Sequence, residues 1–135
     1  MKSPHLLRVD DAPDRFASLI EAARAEGLRI GWLDFAPAEP LPEDLQAAAG
    51  AGVLRAVAVG GGRTVSVKPL QGEPVLRDLL REHFRGCALV LVRGGIEAPY
   101  LRPAGDSWTV AVSGEAARSY GTEQLVAALR KPHPW

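Results

Sequence analysis

Six consecutive apolar residues, Cys87 to Val92 (CALVLV), begin directly after a helical pattern that stops at Gly86. A continuous apolar run of this length is what a β-strand covered on both faces requires. A strand reached through a helix tends to run parallel to an earlier strand. The chain is therefore expected to build a mixed sheet with helices on its faces, and Cys87–Val92 is expected in the middle of that sheet.

The preceding helix is predicted over Glu73 to Phe84. Leu76, Leu79, Leu80 and His83 recur on one side, while Glu73/Arg77, Asp78/Arg81 and Glu82/Arg85 sit at spacings that pair along a helix surface. An earlier helix is predicted from Asp11 as N-cap, with Pro13 and Asp14 in its first turn, Phe16, Leu19, Ile20 and Ala23 on one face and Gly27 closing it. Arg29 to Phe35 (RIGWLDF) follows, apolar on both sides for most of its length, and is predicted as an interior strand. Pro37, Pro40 and Pro42 then impose a loop that ends in a short helix stopping at Gly50.

Val53–Val59 and Arg63–Lys68 alternate around Gly60, Gly61 and Gly62, which predicts a β-hairpin. After Gly94 and Gly95 come short strand patterns at Pro99–Arg102, Trp108–Val112 and Ala116–Tyr120, a meander. Thr122 is placed as the cap of a last helix that buries Leu125, Val126 and Leu129, with Pro132 beyond its end.

The expected order is α-β-α-β-β-α-β-β-β-α in a single α/β domain over residues 1–135, with an extended Pro-rich tail at 131–135. An α+β fold with an antiparallel sheet is the alternative. A chain of 135 residues is long enough for one hydrophobic core, and its 47% apolar and 24% charged content exclude disorder and low-complexity behaviour. The single cysteine, Cys87, leaves the fold without an internal disulfide, as expected in the cytoplasm. The five acids among the first thirty residues argue against a leader peptide, and the longest apolar run falls far short of the roughly 20 residues of a membrane helix.

Net charge is zero but unevenly spread: residues 1–50 hold nine acids against five bases, and residues 51–102 hold eight bases against four acids. Self-complementarity within the fold or between copies of the chain accounts for that split, and so does an anion-binding face.

No catalytic residues and no metal ligands are assigned, and no cofactor is expected. GGGRT at 60–64 joins two strands rather than a strand and a helix, which is the wrong context for a phosphate loop. His83 and Cys87 are too few ligands for a zinc site, and Cys87 opens an apolar strand where a thiol is inert packing.

Asp34 lies near the carboxyl end of its strand, where ligands of open α/β sheets bind. With Arg63 or Lys68 it is a candidate for a small anionic ligand, a nucleotide or phosphorylated metabolite. The commoner use of an aspartate there is to accept backbone amides of the following loop.

Arg77, Arg81 and Arg85 form a stripe that nucleic acid could use, but a pI of 6.8 and the interleaved acids favour a solvated helix face. Trp135 ends the tail and is too apolar to leave in water, so it is expected to dock on its own domain or on a neighbour. The leading expectation is a non-catalytic interaction or homo-oligomerisation module that uses Trp135 and the arginine face. Small-anion binding comes second, weak nucleic-acid binding last, and no membrane partner is expected.

Overall fold

The computed structural model describes residues 3–135. The element order is β1 (His5–Val9), a 3-10 turn (Pro13–Phe16), α1 (Ala17–Ala25), β2 (Ile30–Asp34), α2 (Glu43–Gly50), β3 (Ala56–Gly60), β4 (Arg63–Val67), α3 (Leu76–His83), β5 (Leu89–Arg93), β6 (Tyr100–Ala104), β7 (Ser107–Ala111), β8 (Arg118–Gly121) and α4 (Thr122–Ala128). The chain forms two compact units, one of residues up to Ala36 together with Arg77–Trp135, the other of Pro37–Leu76.

The larger unit is an α/β structure around a six-stranded mixed sheet in the order β2-β5-β1-β6-β7-β8. β2, β5, β1 and β6 run parallel, and β6-β7-β8 is the antiparallel meander.

Two expectations change here. His5–Val9 is a strand that the sequence reading did not place, and it lies at the centre of the sheet. Arg29–Phe35 forms an edge strand, not an interior one, because among the described residues β2 pairs with β5 alone. Its apolar pattern arises from cover on its two faces. Trp32 and Ile30 pack on the main core, and the Phe84 ring lies so close over Gly31 that a Cβ there would overlap it.

Strand alternation positions that core. On β1, β6 and β7 alternate residues are buried (Leu7 and Val9; Leu101; Trp108 and Val110), so one face of this part of the sheet is covered. Phe16, Leu19 and Ala23 from the first helical segment and Leu125, Val126 and Leu129 from α4 complete the same cluster. β5 is buried at Leu89, Val90, Leu91 and Val92 alike, as its continuous apolar run requires.

The helix ends follow local chemistry. At Gly27, with φ 76°, the Gly27 and Leu28 amides donate to the Arg24 and Ala23 carbonyls and close α1 with a left-handed turn. Asp11 does not cap the first helical segment. That segment starts as a 3-10 turn behind Ala12, with no side-chain cap. Thr122 is likewise the first residue inside α4 rather than its cap. Gly121 holds the cap position, its amide donates to Gln124 Oε1, and the Thr122 hydroxyl accepts from the Trp108 indole. No helix among the described residues is long and apolar enough to cross a membrane.

The smaller unit consists of α2 against the β3-β4 hairpin, a two-stranded antiparallel sheet of its own. Gly61 and Gly62 have φ of 58° and 74° between the paired Gly60 and Arg63. A two-residue turn with both central residues in the left-handed region is the type I′ hairpin turn, and glycine adopts it without steric cost.

Candidate functional site

The parallel register of β2 and β5 sets Asp34 beside Arg93, so both side chains leave the sheet on the same face at its carboxyl end. Arg93 Nε and Nη2 donate to Asp34 Oδ2 at 3.1 and 2.5 Å. The Ala36 amide donates to Oδ1 at 2.9 Å, the short-range bond that lets an aspartate organise the loop after it. Trp32, two residues earlier on the same face, brings its indole nitrogen 3.5 Å from Oδ2, and the Arg93 guanidinium stands 5.5 Å from a Trp32 ring centre.

Burial pushes the Asp34 carboxyl up, but hydrogen bonds from Arg93, the Ala36 amide and Trp32 outweigh it and hold it below the usual carboxylate range. Both carboxylate oxygens are thus engaged, one by a cation and one by the backbone. The cation that faces Asp34 is Arg93. Arg63 on β4 and Lys68 just after it belong to the Pro37–Leu76 unit.

The arginine face serves its own helix in part. Arg85 Nε donates to the Arg81 carbonyl at 3.0 Å, a cap on the last turn of α3 where a positive charge is also favoured by the helix dipole. Arg77, Arg81 and Arg85 are all exposed. His83 lies 3.8 Å from Glu82 and edge-on to Phe84. Cys87 is half-buried, and burial pushes its thiol up, partly offset by Arg29, so it is a poor nucleophile. Among the described residues no three His, Cys, Asp or Glu side chains group closely enough to hold a metal ion.

Trp135 packs against the core of its own unit and meets the His5 ring edge-on at 5.7 Å between centroids. His5 Nε2 in turn donates to the Leu129 carbonyl at 3.1 Å, which joins β1, the end of α4 and the tail.

A second charged cluster escaped the sequence reading. Arg8 in β1 lies opposite Tyr100 in β6, with its guanidinium 4.4 Å from the ring centre, and Arg102 approaches the same ring at 5.8 Å. Burial pushes the Tyr100 phenol up, reinforced by its hydrogen bond to the Asp10 carboxylate, so it stays a neutral donor. The sequence signal was there: an arginine between Leu7 and Val9 in HLLRV breaks the apolar pattern of a buried strand.

The hairpin carries most of the remaining unusual surface. Its register puts Val57 and Val59 on one face with Ser66 and Thr64, and Ala56 and Ala58 on the other with Val67 and Val65. Only Ala56 is buried in the whole unit.

No known family's sequence model matches the chain, and no curated protein does. Among solved structures, the crystal structure of Bacillus subtilis MobB superposes with a TM-score of 0.45 at 18% identity, covering 71% of this chain and 64% of that one. The chain thus spans less than two thirds of the length of MobB, and a likeness at this level carries no argument about function.

Proposed function

We propose that this protein is a small non-catalytic homo-oligomerisation module that joins two copies through the β3-β4 hairpin. One observation carries the reading. Every large apolar side chain exposed among the described residues lies between Leu41 and Val75, with Leu54 at 90% and Val59 at 80% exposure. A segment of about 40 residues with one buried alanine has no core of its own, and a lone two-stranded hairpin is marginally stable in water. The apolar face at Val57 and Val59 gains most from being covered.

A second copy is the occupant that the unit's chemistry favours. Its charges nearly balance, with Glu39, Glu43, Asp44 and Glu73 against Arg55, Arg63 and Lys68. The acids of the loop and α2 precede the bases of the hairpin, so two-fold pairing can set each patch against its opposite. Among the described residues β3 and β4 pair only with each other, and an unpaired strand edge is a template for pairing across the axis. Trp135, packed on its own core, is not needed for this contact.

Sedimentation velocity over a concentration series tests the proposal. Wild-type protein is expected to associate, and Val59→Glu to sediment as a monomer. A strictly monomeric wild type at high concentration would overturn it.

A further inference from the structure

We propose that the cavity beside Arg8 and Tyr100 is a binding site for a small ligand that bears an oxyanion, with the Arg8 guanidinium as its cation. This inference stands apart from the hairpin contact and uses residues of the larger unit alone.

The cavity measures about 570 Å³ and is lined by Arg8, Glu97, Pro99, Tyr100 and Ser113 among others. That volume is within the range of small-molecule sites. Leu7 and Val9 face the main core, so alternation sends Arg8 to the opposite face of the sheet. There the chain from Glu97 to Tyr100 enters β6 and Val112 and Ser113 leave β7, and both segments line the open cavity beside the β1-β6 seam.

Arg8 Nε is the one buried side-chain polar atom without a hydrogen-bond partner among the described residues. Such atoms are nearly always satisfied in folded proteins, and a guanidinium nitrogen more than most, because desolvating a charged group unpaired is costly. The nearby Asp10 carboxylate accepts from the Tyr100 hydroxyl. Tyr100 in turn holds the guanidinium plane by its ring face, which fixes the direction of the donors without using them.

A guanidinium with an unpartnered N–H, on a ligand-sized cavity that Ser113 also lines, is suited to a carboxylate or a phosphate. Glu97 at the exposed side limits the positive charge of the lining and selects against polyanions such as nucleic acid.

The test is an NMR titration of the full chain with inorganic phosphate and, separately, with acetate, followed at the Arg8 Nε–Hε signal and at the amides of 97–100 and 111–113. A saturable shift confined to these signals is expected with at least one probe. Phosphate alone assigns a phosphate-bearing ligand, acetate alone a carboxylate. Arg8→Gln should weaken binding at least tenfold, while Arg118→Gln leaves it unchanged. Absence of saturation with both probes would overturn the proposal. So would equal shifts at Arg118 and Arg8, or an Arg8→Gln protein that titrates as wild type. The wild-type titration decides the matter even if that variant does not fold.

Discussion

Asp34 and Arg93, fifty-nine residues apart in the chain, form a two-donor ion pair across neighbouring parallel strands, with each side chain less than one fifth exposed. The pair makes acid stability a direct reporter of this corner of the sheet. The folded-state carboxyl titrates below its unfolded value of about 3.9, so its contribution is complete above that pH and is lost as pH falls through the folded value. Urea unfolding of wild type should show a midpoint that drops on this acid limb. Asp34→Asn should be less stable at neutral pH and have a shallower limb, because Arg93 keeps no ionised partner.

The indole N–H of Trp108, 3% exposed, donates to Thr122 Oγ1 at 2.9 Å and ties β7 to the first turn of α4. Thr122→Val keeps the shape and removes the acceptor, which leaves a buried donor unsatisfied. A loss of about 1–3 kcal/mol is expected from denaturant curves, and Thr122→Ser should restore most of it.

Gly31 is required by packing. A Cβ at this position overlaps the Phe84 ring and also touches Cys87 Sγ at 3.4 Å. Gly31→Ala is expected to cost about 1–3 kcal/mol through overpacking. Combining it with Phe84→Leu should cost less than the two single changes together, since both act on one contact. Additive losses in a thermal unfolding series would show that ring and glycine are not coupled.

Trp135 belongs to the core of its unit, half-buried and braced by His5. Deletion of residues 132–135 should lower stability by about 1–2 kcal/mol, the value of partial burial of an aromatic, and leave the sedimentation coefficient series unaltered. A change in association without a change in stability would reassign the tail to an intermolecular contact.

Much of the architecture was legible because local signals agreed with tertiary ones. The apolar run at Leu89–Val92, the Gly61-Gly62 turn, the Gly27 terminator and the meander after Gly95 each follow from short stretches of sequence. β1 was not legible, and the reason is Arg8. A strand between two parallel neighbours is expected to be apolar throughout, and a guanidinium between Leu7 and Val9 removes that signal.

The residue that hides the strand is thus the cation of the Arg8 cavity. Breaks in local consistency of this kind are where functional sites concentrate. Asp34 was found, but its partner was not, because only the β2-β5 register brings Arg93 to it. The edge position of β2 was equally hidden: apolar cover on two faces reads the same whether a strand has one neighbour or two.

The central claim is that two copies meet through the hairpin, and its most direct test is isotope-filtered NMR on a mixture of labelled and unlabelled protein. Intermolecular contacts should appear at the methyl groups of Val57 and Val59 and be absent at the Trp135 ring. A mixture at millimolar concentration with no intermolecular contacts at the hairpin would contradict the account.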